Sequence, residues 1–313
     1  MKLIIQIPCL NESGTLKVTL DALPRQVQGF DCVEWLIIDD GSVDGTAELA
    51  KQLGVHHVVS HQVNRGLATA FMTGLGTALK LGADVIVNTD ADNQYEANDI
   101  PKLTSPILSG QADMVIGGRP INDTEHFSWI KKKLQNLGSW AVRVASKTDV
   151  ADAPSGFRAI SREAAMRLNV FNPYTYTLET IIQAGQSNMR VLSVPIRTNE
   201  DLRPSRLVKS ISSYVRRSLV TILRVFITYR PLFFFFWLAL LLAIPGLALG
   251  IRFVYFYAIG NGDGHIQSLI LASLLLMLAA LGGMCGLIAD LISTNRKLLE
   301  KILLKINQDT YNR

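Results

Sequence analysis

The chain has 313 residues, of which 49% are hydrophobic and 18% charged, with a formal net charge of +5. Most of the apolar excess lies after residue 230, which excludes one uniformly soluble globular domain. The positive charge admits nucleic acid, phosphorylated ligands or an anionic membrane, whereas three scattered cysteines (Cys9, Cys32 and Cys285) exclude a disulfide framework and a zinc spacing, and fit a reducing compartment.

The N-terminal run Met1–Gly14 meets Pro8 too early for a signal-peptide core and reads as a first buried strand, so the N-terminal region is expected to stay on the cytoplasmic side. Strands are predicted over Leu3–Pro8, Val33–Asp39, His56–Ser60, Asp84–Thr89, Asp113–Gly117 and Arg190–Ile196. Helices are predicted near 14–27, 44–53, 66–82, 97–110, 127–147, 162–168 and 176–187. Apolar strands alternating with helices imply an α/β domain over residues 1–200, with a largely parallel sheet covered on both faces. Ligands of such sheets sit beyond the carboxyl ends of the strands.

Residues 201–230 carry seven basic side chains (Arg203, Arg206, Lys209, Arg216, Arg217, Arg224 and Arg230) against one acid, Asp201. Leu207, Val208, Ile211, Val215, Leu219, Ile222, Leu223 and Phe226 recur among them at helical spacing. This pattern fits an amphipathic helix lying on anionic lipid, or one packed on the preceding domain. Leu232–Ile251 and Ile266–Ala289 hold no charge, and each reaches the roughly 20 residues needed to cross a bilayer, so 231–292 reads as a transmembrane hairpin. Arg224 and Arg230 precede it, and Arg296, Lys297, Lys301 and Lys305 follow it within the tail 293–313, which places both ends in the cytoplasm. The basic charge is thus assigned to membrane and phosphate, with no nucleic acid. Gly246, Gly250, Gly282, Gly283 and Gly286 permit close helix packing and a homo-oligomer.

Four motifs follow one another at predicted strand ends: Pro8-Cys9-Leu10-Asn11-Glu12; Asp39-Asp40-Gly41-Ser42-Val43-Asp44-Gly45-Thr46; Asn64-Arg65-Gly66-Leu67-Ala68; and Thr89-Asp90-Ala91-Asp92-Asn93-Gln94. Singly each reads as a turn or a helix cap. On an extended segment the carboxylates of Asp90 and Asp92 point to the same side, as does Gln94, and hard oxygen donors suit Mg²⁺ or Mn²⁺.

In this order the motifs resemble family-two glycosyltransferases of the GT-A fold, a Rossmann-like arrangement, over about residues 1–200. The closer likeness, through Gly117-Gly118-Arg119 and Asp152-Ala153-Pro154-Ser155-Gly156-Phe157-Arg158, is to polyprenyl-phosphate glycosyltransferases and dolichyl-phosphate mannose synthase. The resemblance implies that Pro8, Asn11, Glu12, Asp39, Asp40, Arg65, Gly66, Asp90 and Ala91 bind the nucleotide-sugar, with Asp39 either a ligand or the residue that orients the turn. It implies a metal held by Asp90, Asp92 and Gln94. Acceptor phosphate falls to Arg119, Lys132, Lys133, Ser155, Arg203 and Arg206, although Arg203-Pro-Ser-Arg206 departs from the usual Gly-x-Ser-Lys wording. Asp92, Arg119 and Asp152 would form the reaction centre, Asp152 as a base or as an orienting group, and Glu179 could face the same cleft. His56, His57, His61, His126 and His265 share no spacing and receive no role.

The implied reaction is inverting transfer of a sugar from a UDP- or GDP-sugar to a polyprenyl phosphate, at the cytoplasmic face of a membrane. A bacterial inner membrane is expected because no endoplasmic-reticulum retrieval motif is seen. Transfer to another lipid or to a polysaccharide, or a non-catalytic membrane scaffold, are the rival readings. Against the first, no Gln-x-x-Arg-Trp motif or longer run of spans is present, and against the second stands the retained Asp90/Asp92 pair.

Overall fold

Leu3, Ile4, Ile5 and Ile7 make a run apolar on both sides, the pattern of a strand covered on two faces, and all four are fully buried in strand β1 (Lys2–Cys9). The computed structural model describes residues 1–119, 140, 142–170, 176–200, 220, 223–224, 227–261 and 263–311. After β1 come α1 (Leu16–Ala22), β2 (Cys32–Asp39), α2 (Thr46–Gln52), β3 (His57–Ser60), α3 (Leu67–Lys80) and β4 (Val85–Asn88). A 3₁₀ turn (Ala97–Asp99) leads into α4 (Ile100–Leu108) and β5 (Met114–Gly118). Then follow β6 (Arg158–Ser161), α5 (Arg162–Arg167), α6 (Thr177–Gln186) and β7 (Val191–Pro195).

The strands form one seven-stranded sheet in the order β3-β2-β1-β4-β6-β5-β7. β1 pairs in parallel with β2 and β4, β2 with β3, and β5 with β7. In register, Cys9 lies opposite Asp39 and Asp39 opposite Ser60, so the loops after β1, β2 and β3 leave the sheet side by side. α3 buries Phe71, Leu75, Ala78 and Leu79, and comes so close to the sheet that a Cβ on Gly74 would lie 2.8 Å from Ile38 Cδ1.

Two elements depart from expectation. β6 is an additional strand, antiparallel to both β4 and β5, where only a loop before a helix is predicted. Its four residues begin with a charged arginine, so no period-two pattern marks it. α1 stops at Ala22, well short of 27, because Pro24 follows and biases the residue before it away from helix. The predicted helix near 127–147 falls mostly outside the described residues, and its described part is helical over 142–146. The basic segment 201–230 also falls largely outside them.

The chain forms two compact units, Met1–Ser218 with Ile302–Arg313, and Leu219–Lys301. The second holds α7 (Pro231–Ala258) and most of α8 (Ile266–Tyr311), two helices long and apolar enough to cross a membrane. Phe236, Leu241, Ile251, Ile270 and Leu287 are among many large apolar side chains left exposed on them, as lipid-facing helices require. The end of α8, from Ile302, belongs to the first unit, where Asn307 Nδ2 donates to Met166 O (3.0 Å) and Arg162 Nη2 to Tyr311 O (2.6 Å).

Candidate active site

The loops after β1 and β2 are stitched together by side chains. Asn11, in the left-handed region at φ 55°, donates its N–H to Ser42 Oγ (2.9 Å) and accepts from Val43 N at Oδ1 (2.9 Å). Glu12 N donates to Thr46 Oγ1 (3.0 Å), and Glu12 Oε2 accepts from Thr15 Oγ1 (2.9 Å). Asp44 accepts from Ser13 N and from both the amide and the hydroxyl of Thr46. Burial raises the Asp44 carboxyl, but those hydrogen bonds outweigh it and hold the group at about 2. Pro8 is buried in β1 opposite Ile38, and Ala91 is buried with its carbonyl accepting from Thr19 Oγ1 (2.9 Å).

Asp39 and Asp40 are both buried. Asp39 Oδ1 accepts from Ser42 N (3.0 Å). Asp40 does more for the protein: Oδ1 accepts from His61 Nδ1 (2.7 Å) and Arg65 N (2.9 Å), and Oδ2 from Gly66 N (2.8 Å). Three of its roughly four acceptor positions are thereby used on the loop that opens α3. The same loop needs Gly41, at φ 78°, because a Cβ there would lie 2.8 Å from Asn64 N. Arg65 is exposed and makes no ion pair among the described residues, so its guanidinium is available to an anion.

Beyond β4 stand Asp90 and Asp92. Burial, and then the charge of Asp92, raise the Asp90 carboxyl to about 6, against the pull of Arg119, Arg158 and a hydrogen bond from the Tyr95 hydroxyl. Like charges held close in a poorly solvated place favour a bound cation. Among the described residues no three His, Cys, Asp or Glu side chains converge, and the side-chain oxygen donors following β4 include the carboxylates of Asp90 and Asp92 and the Gln94 amide. That set fits Mg²⁺ or Mn²⁺, whose remaining positions are commonly filled by substrate phosphate and water. Gly156 makes room for this arrangement, since a Cβ there would lie 2.9 Å from Asp90 Oδ1 and 3.0 Å from the Tyr176 hydroxyl.

Arg119, just past β5, grips the fully buried Asp152 through Nε–Oδ2 (2.7 Å) and Nη2–Oδ1 (3.1 Å). Ser155 is also fully buried, its hydroxyl without a hydrogen-bond partner among the described residues, so this conformation does not bring it to the surface. Glu179 is buried within α6. Lys131, Lys132, Lys133, Arg203 and Arg206 lie outside the described residues.

Several residues around the site receive no role from the sequence. His61 bridges Asp40 to Thr73 Oγ1 (3.0 Å) on α3. Asn88 Nδ2 donates to Gly156 O (2.8 Å) and to the Tyr176 hydroxyl (2.9 Å), fixing the wall behind Asp90. Arg158 is fully buried, donating to Thr177 O (3.2 Å), Thr180 Oγ1 (2.6 Å) and Ser155 O. Asn199 reaches the backbone after Asp92: Nδ2 donates to Asn93 O (2.9 Å) and Tyr95 O (3.3 Å), and its amide to Gln94 O (2.9 Å).

Residues 4–168 match the family described as Glycosyl transferase family 2. A UDP-N-acetylglucosamine–dolichyl-phosphate N-acetylglucosaminyltransferase of Methanococcus voltae is 32% identical over 213 residues, covering 61% of this chain and 83% of that protein. An undecaprenyl-phosphate mannosyltransferase of Micrococcus luteus is 27% identical over 206 residues, covering 63% and 83%. Among solved structures, glucosyl-3-phosphoglycerate synthase from Mycobacterium tuberculosis in complex with Mn²⁺, uridine diphosphate and phosphoglyceric acid shares the fold at TM-score 0.54 and 21% identity, covering 71% of this chain and 78% of that one. The family match spans more than half of the chain, and the chain belongs to glycosyl transferase family 2.

Proposed function

We propose that the protein transfers one sugar from a nucleoside-diphosphate sugar to a polyprenyl phosphate at the cytoplasmic face of a membrane, releasing the nucleoside diphosphate. The observation that carries this reading is one site holding an acid pair, Asp90 and Asp92, and an arginine, Arg119, braced by a buried acid, in a chain that also bears two membrane-length helices. The Methanococcus voltae and Micrococcus luteus relatives support the acceptor class, and their names differ in the sugar, so both UDP- and GDP-sugars belong in the test.

Asp90, Asp92 and the Gln94 amide would hold a divalent cation, which when bound supplies Lewis-acid neutralisation of the departing diphosphate. The exposed Arg65 guanidinium meets that diphosphate from the nucleotide side. Arg119 faces the acceptor phosphate, its fork oriented by Asp152. A phosphate monoester has its second pKa at about 6 and is mostly dianionic near neutral pH, so no residue has to remove a proton from it. Its oxygen attacks the anomeric carbon opposite the nucleotide; the new C–O bond forms as the bond to the diphosphate breaks, and the centre inverts. The membrane helices tether the catalytic unit to the bilayer that holds its acceptor, which raises the encounter frequency.

The test is a screen of radiolabelled UDP- and GDP-sugars with the full chain in vesicles containing undecaprenyl phosphate and Mn²⁺. Label extracted into organic solvent, dependent on the metal and on the lipid phosphate, is expected. Equal labelling of vesicles holding diacylglycerol in place of lipid phosphate overturns the acceptor, and no transfer from any donor overturns the activity.

A further inference from the structure

His61 follows β3 by one residue and Asp40 follows β2 by one residue, and the register that sets Asp39 opposite Ser60 sets these two side by side. Both side chains are almost wholly buried. A carboxylate only accepts hydrogen bonds, so His61 Nδ1 carries the hydrogen toward Asp40 Oδ1 at 2.7 Å, while Nε2 meets the Thr73 hydroxyl of α3 at 3.0 Å. His61 N further donates to Asp39 O (2.8 Å), so the ring is anchored at its backbone and at both nitrogens. With its rotation fixed in this way, Asp40 straddles two consecutive amides, Arg65 N and Gly66 N. The start of α3 is therefore satisfied by a protein carboxylate, and what remains to meet an external anion at this point is the Arg65 side chain.

We propose that His61 is a positioning residue for the nucleotide half of the site: through Asp40 it fixes the Arg65–Gly66 backbone, and so sets where the Arg65 guanidinium meets a nucleoside diphosphate. The inference rests on the reading that a nucleotide-sugar binds beyond β1 and β2. His61 touches neither the donor nor the acceptor and acts only through Asp40.

Two isosteres separate its two hydrogen bonds. His61→Asn keeps an amide donor near the place of Nδ1, and His61→Gln moves it to the place of Nε2, leaving Asp40 without that partner. Binding of UDP and of GDP to the full chain in Mn²⁺ is titrated directly, so that the readout needs no acceptor, and the melting temperature of each variant is followed alongside. His61→Gln is expected to weaken nucleotide binding about tenfold, and His61→Asn to recover most of that loss. The double variant His61→Gln/Arg65→Ala is expected to bind no more weakly than Arg65→Ala alone, because the two residues act in series. Equal behaviour of the Asn and Gln variants, or fully additive losses in the double variant, overturns the inference while leaving the proposed function standing. Wild-type protein that binds neither nucleotide overturns both, and nucleotide binding without transfer to lipid phosphate overturns the acceptor alone.

Discussion

Arg119 and Asp152 meet fork to fork, Nε 2.7 Å from Oδ2 and Nη2 3.1 Å from Oδ1, with the carboxylate fully buried and the Arg119 amide donating to the same Oδ2 at 3.3 Å. Two parallel charge-assisted bonds fix the plane of a guanidinium as well as its position. Asp152 thus orients the Arg119 guanidinium, and the two roles that the sequence leaves it, a base or a group that orients substrate, make different predictions.

Asp152→Asn keeps the shape and loses the charge and half of the fork. kcat/KM for lipid phosphate is expected to fall on the order of a hundredfold, about 2.7 kcal/mol, while nucleotide affinity stays within about twofold. The pH profile of the residual activity separates an orienting group from a base: an orienting acid leaves the profile's shape intact, whereas loss of a catalytic base removes its acidic limb. Arg119→Lys offers a point charge in place of a fork and is expected to fall with Asp152→Asn, not between it and wild type.

Asp90 gives a pH dependence with a definite sign. Its carboxyl rises from an ordinary 3.8 to about 6, burial being the larger cause and the charge of Asp92 the second. Between those values the folded state holds a proton that the unfolded state has released, so metal-free stability falls as pH rises through this window. Mn²⁺ must displace that proton, and its apparent affinity is expected to drop about tenfold per unit as pH falls below about 6. Titration of Mn²⁺ by electron paramagnetic resonance from acid to neutral pH checks this, and Asp90→Asn should bind Mn²⁺ weakly with a flat profile. A wild-type affinity that does not change with pH would sink the assignment.

The sheet and the site were legible in the sequence to different depths. Buried apolar runs such as Leu3–Ile7 and Val85–Val87 declare strands directly, and the motifs Asp39-Asp40-Gly41-Ser42 and Asp90-Ala91-Asp92 announce themselves because each is local. What was not legible depends on register and on long-range contacts. That Asp40 serves the loop opening α3 follows only once β2 and β3 pair Asp39 with Ser60 and bring His61 alongside. β6 is visible only as the antiparallel partner of β4 and β5, since four residues led by Arg158 make no pattern of their own. Asn199 lies 106 residues from Asn93, too far for spacing to link them.

Asn199 holds three consecutive carbonyls, Asn93 O, Gln94 O and Tyr95 O, directly after Asp92, where Asn93 takes the left-handed φ of 57°. Asn199→Ala removes the two side-chain bonds and frees the turn that presents Gln94. Half-saturating Mn²⁺ is expected to rise about tenfold, with kcat at saturating metal changed by less than about threefold. Thr198→Ala, at the neighbouring bridge to Tyr95, serves as the comparison and is expected to leave the metal titration in place. Equal shifts in both variants would assign the effect to general loosening of the segment.

In the membrane unit the two helices touch through small residues. A Cβ on Gly286 would lie 2.9 Å from Phe235 Cβ, and one on Gly246 would lie 3.1 to 3.2 Å from Leu275 and Leu276. Between apolar helices in lipid no hydrophobic gain drives association, so close backbone approach and dispersion contacts hold the pair. Phe235 Cβ belongs to the root of its side chain and cannot swing away, so the Gly286 position cannot accept even a methyl group without moving a helix. Gly286→Leu is therefore expected to destabilise the hairpin by about 1–3 kcal/mol, read as a lower melting temperature in detergent. Gly283 has nothing within 4 Å of a built Cβ, so Gly283→Leu, of equal added volume, is expected to melt with the wild type. If Gly283→Leu and Gly286→Leu lower the melting temperature alike, added bulk in the bilayer and not the contact with Phe235 decides stability.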